Sequence, residues 1–229
     1  MNKFYKQKFN TREISVLVSD EEESLRKALK NRIPAIACIG EDTEYKLSFV
    51  PYAVEDEGAI DEDYLRFVYC RTNGIPLEIA RTERLLIREL CADDREKTRK
   101  VFLDNGEDAF SISGEELQSY STRVYDLYRY GYYAVCLLEN PDIMIGIAGF
   151  NRQKGCIELG YIIRKEYRRQ GYAFEACTEL LNLYEKDPTV GEETVTIIIS
   201  KDNFASLSLA KKLKDRMAGS RICPEIKVV

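Results

Sequence analysis

The chain has 229 residues, 45% hydrophobic and 32% charged, with a formal net charge of −5, seven cysteines and no histidine. This is an ordinary composition for a globular protein of one or two domains, and the acidic balance argues against a nucleic-acid partner. The missing histidine removes Ser-His-Asp and Cys-His machinery and the commonest transition-metal ligand, so no metal is expected.

No apolar run approaches the ~20 residues of a membrane span, and the start Met1-Asn2-Lys3-Phe4-Tyr5-Lys6 lacks the apolar core of a secretory signal. A cytoplasmic protein with no membrane partner is expected. The cysteines (38, 70, 91, 136, 156, 177 and 223) are dispersed and form no Cys-x-x-Cys, which reads as reduced packing residues.

Two unlike halves are predicted to meet near Pro76–Arg81, giving domains over 1–80 and 81–229. The first eighty residues carry 11 Lys/Arg against 15 Asp/Glu and the remainder 23 against 24, so most of the excess acid lies upstream. In the first half, Ile14-Ser15-Val16-Leu17-Val18 is β-branched and apolar and predicts the first strand. Asp20 is the candidate N-cap of a helix through Asn31. Pro34–Ile39 predicts a second strand, and Phe49–Val54 a third, held to an edge or bend by Pro51. Asp61–Thr72 predicts a helix closed by Asn73-Gly74. The predicted unit is a small βαββα Rossmann-like module, non-catalytic and docked on the second half.

In the second half, Leu85–Arg88 predicts a strand, and Asp93 or Asp94 opens a helix to about Leu103. Ser113 with Glu116 forms a capping box for another helix through Tyr130. Tyr132–Leu138, Met144–Phe150 and Cys156–Ile163 predict successive strands, with turns at Pro141-Asp142 and Gln153-Lys154-Gly155. Phe174, Ala176, Cys177, Leu180, Leu181, Leu183 and Tyr184 have helical spacing. Glu193–Ser200 predicts a strand, and Asp202-Asn203 caps a last helix ending near Met217.

Between the strand ending at Ile163 and the helix through Tyr184 lies Arg168-Arg169-Gln170-Gly171-Tyr172-Ala173. A basic, glycine-bearing turn at a helix N-terminus is an anion site, because first-turn amides lack intrahelical acceptors and the helix dipole is positive there. Gly171 admits a bulky anion to the backbone, and Ala173 keeps the first turn uncrowded. A basic loop capping an ordinary helix is the plainer reading of this stretch alone.

Arg168-x-x-Gly171-x-Ala173 resembles the acyl-CoA-binding signature of the GCN5-related N-acetyltransferases. Thr82–Arg88, Glu158-Leu159-Gly160-Tyr161 and Asn203-x-x-Ser206 fit the RimJ/RimL-like branch in order and spacing. The resemblance covers roughly residues 81–213. It implies an α/β (α+β) fold with a mixed, mostly antiparallel central sheet. It also implies acetyl transfer from acetyl-CoA to a primary amine, on a protein N-terminus or a small molecule, by direct attack through a tetrahedral intermediate.

The resemblance assigns pyrophosphate binding to Arg168, Arg169, Gln170, Gly171, Tyr172 and Ala173. The backbone of Tyr161, Ile162 and Ile163 is assigned to the pantetheine amides, and Asn203 and Ser206 to the same arm. Asn203 also reads as a helix cap, and the two roles coexist. Glu158 is the candidate general base; a structural glutamate paired to an arginine is the other reading. Tyr120, Tyr125, Tyr128, Tyr130, Tyr132 and Tyr133 span the helix and strand that wall the acceptor side in the family; core and rim packing is the plainer reading, and substrate contact the other.

Two departures stand out. The tyrosine that many relatives place seven residues beyond the asparagine is Ala210 here, so Tyr161 or solvent must protonate the leaving thiolate. The Gly-Phe and hairpin that usually follow the last helix are replaced by Lys214-Asp215 and a tail with room for one strand. These departures motivate a competing reading, a non-enzymatic acyl-CoA sensor, and assembly as a homodimer stays open. Upstream, Val18-Ser19-Asp20-Glu21-Glu22 resembles an acidic loop of haloacid-dehalogenase-type domains, but no Asp-x-Asp nucleophile precedes it.

Overall fold

A computed structural model of the chain describes residues 2–9, 12–40, 44–105, 117, 123–125, 130–153, 156–187 and 194–229. The chain divides into two compact units, Met1–Leu77 and Glu78–Val229.

In the first unit, β1 (Asn2–Phe9), β2 (Arg12–Ser19), β3 (Ala35–Cys38) and β4 (Ala53–Val54) form a sheet in that order. β1 and β2 are antiparallel, whereas β2, β3 and β4 run parallel. Helices α1 (Glu22–Lys30), α2 (Glu44–Leu47) and α3 (Glu62–Asn73) complete the unit. The near-continuous apolar run of β2 follows from burial on both faces. Leu17 joins Leu25 and Ala28 of α1, while Val16 and Val18 join Leu65 and Val68 of α3.

Three expectations change here. Residues ahead of Ile14 form β1, an edge strand whose Asn-Lys-Phe-Tyr-Lys-Gln-Lys-Phe sequence has no apolar run because it carries little of the core. The helix N-cap is Glu21 rather than Asp20, and it makes no side-chain capping bond. The third predicted strand shortens to Ala53–Val54, since Pro51 has no N–H for a ladder. The end of α3 follows the pattern, with Gly74 left-handed at φ 64° and Asp61 accepting from the Tyr64 amide.

The second unit is a seven-stranded sheet in the order β11-β10-β9-β8-β7-β6-β5. Its strands are β5 (Glu78–Arg81), β6 (Leu85–Glu89), β7 (Tyr132–Leu137), β8 (Met144–Gln153), β9 (Cys156–Ile163), β10 (Val195–Ile199) and β11 (Glu225–Val228). All pairs from β5 to β9 are antiparallel, and β9–β10 and β10–β11 are parallel. Its helices among the described residues include α4 (Arg95–Leu103), α5 (Tyr172–Lys186) and α6 (Phe204–Arg216). The sheet is therefore mixed and mostly antiparallel. β5 was not predicted, because its four residues fall where the pattern suggests a link between domains.

Strand alternation sorts the side chains onto two faces. Ile157 and Leu159 of β9, and Val195 and Ile197 of β10, meet Cys177, Leu180 and Leu181 of α5 and Leu213 of α6. Ala134, Cys136, Met144 and Ile147 face the other way with Val101 of α4. A buried ion pair ties β6 to α4, with Arg88 Nη1 donating to Asp94 Oδ2 at 2.6 Å. Asp94 Oδ2 also accepts from the Cys91 amide at 3.0 Å, closing the turn into the helix.

Most of the helix predicted from Ser113 to Tyr130 lies outside the described residues, together with Tyr120, Tyr128, the turn at Lys154-Gly155 and Glu193. Tyr125 and Tyr133 stack with ring centroids 5.2 Å apart, and Tyr130 packs edge-on against Tyr184 at 5.9 Å. Those four tyrosines are core residues.

Candidate active site

β8 and β9 pair along eight residues, from Gly146↔Ile163 to Gln153↔Cys156, but β9 and β10 share only Ile157↔Val195 and Glu158↔Thr196. Beyond that rung the two parallel strands separate. The β10-facing edge of β9 over Leu159–Ile163 therefore has no register partner in β10, and of its backbone groups the Ile163 carbonyl is taken by Arg168.

The chain leaves β9 through a short 3₁₀ turn, Lys165–Tyr167, and enters α5 at Tyr172. Arg169 takes φ 61° and Gly171 φ 87°, the left-handed values that fold successive amides toward one point. Gly171 is the N-cap and offers no side-chain acceptor to the first-turn amides. The first turn thus keeps donors for an external anion. Tyr172 and Ala173 sit in that turn, and Arg169 and Gln170 are exposed beside it.

Arg168 is turned elsewhere. Its guanidinium donates from Nε to the Ile163 carbonyl at 2.9 Å and from Nη2 to Asn105 Oδ1 at 2.6 Å. These bonds brace the loop against the end of α4.

A residue with no predicted role stands close to that site. Arg84, in the turn before β6, donates from Nη1 to the Gln170 carbonyl at 3.0 Å and from Nε to Glu175 Oε2 at 2.8 Å. Its guanidinium lies 4.5 Å from the centroid of the Tyr172 ring. Glu175 Oε1 accepts from Thr82 Oγ1 at 2.5 Å and from the Arg84 amide at 3.0 Å. Burial opposes the charge on Glu175, but the bonds from Thr82 and Arg84 outweigh it and hold its pKa below the usual value. The signal in the sequence was Thr82-x-Arg84 beside an acid in the first turn of α5, and it serves there as a strand landmark only.

On the gap side of β9, the Tyr161 hydroxyl oxygen is enclosed and meets no group in hydrogen-bond geometry among the described residues. Burial pushes its pKa up to about 12, against a smaller opposing effect of Ser206. Ser206 is therefore a neighbour of the phenol without being a formed partner. Asn203 Oδ1 accepts from the Ser206 amide at 3.1 Å, so the asparagine caps α6 and the structure joins these residues at one helix end. Ala210 is fully buried in the core and presents nothing to the gap.

Glu158 is half-buried on the last shared rung, on the sheet face opposite Tyr161. A Cβ on Gly160 would fall 2.7 Å from the Tyr132 hydroxyl oxygen, so the Tyr132 ring occupies the space over that glycine, two residues along from Glu158. Ile162 packs on this same face, and Ile163 is buried at the strand end.

The acetyltransferase (GNAT) domain model matches residues 84–214, more than half of the chain. The chain belongs to the GNAT acetyltransferase family. The matched span holds the splayed strands, the glycine loop and most of α6, and it stops before β11. Solved structures of similar fold include a GnaT-family protein from Bordetella pertussis, 20% identical over 59% of this chain and 87% of that one, with TM-score 0.51. An acetyltransferase from Agrobacterium tumefaciens str. C58 is 22% identical over 58% and 80% of the two chains, with TM-score 0.46. RimL, a ribosomal L7/L12 alpha-N-protein acetyltransferase, is 16% identical over 60% and 79%, with TM-score 0.47.

GNAT membership makes the chain an N-acetyltransferase with acetyl-CoA as its acetyl donor. The uncapped amides at Gly171, the open edge of β9 and the enclosed Tyr161 hydroxyl fit a phosphate-bearing thioester. No cluster of metal-ligating side chains occurs among the described residues, and no described helix is long and apolar enough to cross a membrane.

Proposed function

We propose that the chain acetylates a primary amine, on a protein N-terminus or a small molecule, by direct attack with Glu158 as general base. The observation that carries this reading is the two-residue β9–β10 pairing, which ends at Glu158 and opens beside a helix N-terminus with uncapped donors.

The first-turn amides from Gly171 to Ala173, with Arg169 and Gln170, hold the pyrophosphate. The backbone edge of Tyr161, Ile162 and Ile163 pairs with the pantetheine amides, and Asn203 and Ser206 border the same arm. Arg168 acts through loop shape, by its bonds to Ile163 and Asn105. Acetyl-CoA supplies an activated acyl carbon and a thiolate leaving group.

A lysine-type amine has a pKa near ~10.4 and a protein α-amine ~8, so either must shed a proton at neutral pH. Glu158 takes that proton, directly or through water. The nitrogen–carbon bond forms first, giving a tetrahedral intermediate, and its collapse re-forms the carbonyl and breaks the carbon–sulfur bond. A β9 amide at the gap donates to the acyl oxygen as charge builds, where a fixed donor helps most. Tyr161, kept protonated by burial, gives its proton to the sulfur. The first unit, Met1–Leu77, takes no part in this chemistry, since its resemblance to phosphatase-like domains lacks the Asp-x-Asp nucleophile.

Steady-state kinetics of Glu158→Gln with an amine panel test the assignment. Acetyl-CoA affinity should persist while kcat at pH 7 falls by about 10²-fold or more, the usual contribution of a general base. A kcat equal to wild type removes Glu158 from the mechanism.

A further inference from the structure

β11 is an outer strand of the seven-stranded sheet, and among the described residues no strand pairs with its far side. Val229 donates its amide to the Ile199 carbonyl and accepts from the Lys201 amide, both at 2.9 Å, so its backbone groups face β10. Backbone groups alternate between the two edges of a strand, so those of Glu225 and Lys227 face β10 as well. The amides and carbonyls of Ile226 and Val228 therefore point outward from the sheet edge. Pro224 offers no N–H and ends the segment open to pairing.

Within β11 only Ile226 is half-buried, packed against the core of the sheet, whereas Glu225 and Lys227 are exposed on the opposite face. Val228 and Val229 are 53% and 72% exposed. Lysine and proline on an edge are an ordinary guard against strand addition. That reading does not account for two adjacent exposed valines, nor for an acid two residues from the lysine on the same face. Read backwards against itself, Glu225-Ile226-Lys227 is charge-complementary.

We propose that the outer edge of β11 pairs antiparallel with β11 of a second copy of this chain, centred on Ile226. The two Ile226 residues then exchange amide-to-carbonyl bonds across a two-fold axis. Glu225 of each copy stands opposite Lys227 of the other, in a non-hydrogen-bonded pair whose Cβ atoms approach to ~4.5–5.5 Å, near enough for a charge pair. Centring the contact on Lys227 sets lysine against lysine, so charge selects the register. The contact is isologous and closes as a dimer. A segment this short buries well under the ~1,200 Å² of a standard interface, so the dimer is weak and depends on concentration. The inference is independent of the acetyl-transfer reading above.

Sedimentation equilibrium of the full chain at low salt, from ~10 μM to ~1 mM as suits a small interface, tests the proposal. Wild type should associate to a dimer and no further. Lys227→Glu and Glu225→Lys should each weaken association by about tenfold, because two attractive pairs per dimer become repulsive. Mixing the two variants puts opposite charges back at both pairs, so the mixture should associate about as wild type does. The double variant Glu225→Lys/Lys227→Glu should do the same. Recovery in the mixture also shows that neither variant lost its fold. A wild type that stays monomeric, association unchanged by either reversal, or weakened association that the mixture does not recover overturns the proposal.

Discussion

Arg84 gives the sharpest perturbation of the anion site that leaves the glycine loop sequence intact. Its guanidinium reaches the Gln170 carbonyl at 3.0 Å and pairs with Glu175 at 2.6 Å, with the two side chains 42% and 17% exposed. Hydrogen bonds to charged groups contribute ~1.5–3 kcal/mol when shielded, and exposure of the arginine reduces the total to about 1–2 kcal/mol. Glu175 retains its bonds from Thr82 and from the residue 84 amide, so neither variant leaves it without donors. If that energy holds the loop in its binding shape, Arg84→Gln weakens acetyl-CoA by about five- to thirtyfold. Glu175→Gln removes the pairing without removing a cation, and should cost less. Arg84→Lys keeps the charge but loses the planar fork that spans Gln170 and Glu175, so it should recover part of the loss. Calorimetry with acetyl-CoA at two ionic strengths reads all three. Affinities within twofold of wild type for Arg84→Gln and Glu175→Gln would refute the bracing role.

Tyr161→Phe should lower kcat by about 10²-fold, a typical general-acid contribution, while acetyl-CoA affinity holds. Because the hydroxyl it removes has no partner among the described residues, the fold should gain up to ~1 kcal/mol in urea unfolding. Loss of stability with unchanged kcat would make Tyr161 a packing residue. Burial opposes the charge of Asp94, but its bonds with Arg88 keep its pKa below the usual value, so its contribution is present above the ordinary carboxylate range and vanishes as pH falls through the folded value. Asp94→Asn should therefore cost about 3 kcal/mol at pH 7, a deficit that shrinks on acidification below about pH 4; a pH-independent deficit contradicts the ion-pair account. A fragment spanning residues 78–229 contains both hydrophobic clusters of its sheet and should fold and bind acetyl-CoA unaided. Failure of the soluble fragment to bind would assign the first unit a part in the site.

Legibility followed physical cause. The strands from Tyr132 to Ile163 and the last two helices declare themselves because each alternates or repeats against a core. The glycine loop is legible because Gly171 must supply a left-handed residue at a helix start. β1 and β5 escape a hydrophobic pattern, since one is a lysine-bearing edge and the other is four residues long. The turning away of Arg168 depends on Asn105, sixty-three positions earlier, and Arg84 on a turn ninety-one positions from Glu175. Local spacing carries no record of such pairings. The place of β11 beside β10 depends on a parallel register that a short tail does not reveal.

The central claim is that residues 78–229 hold acetyl-CoA at the Gly171 turn. Calorimetric titration of acetyl-CoA into wild type and Gly171→Glu tests it most directly. Gly171 has φ 87°, and a side chain there would start 3.3 Å from Arg84 Nη2, so glutamate brings strain, bulk and negative charge to the anion site. The account predicts micromolar-range binding by wild type and its loss in a variant that remains folded by circular dichroism. Absence of binding by wild type, or equal binding by the folded variant, would contradict it.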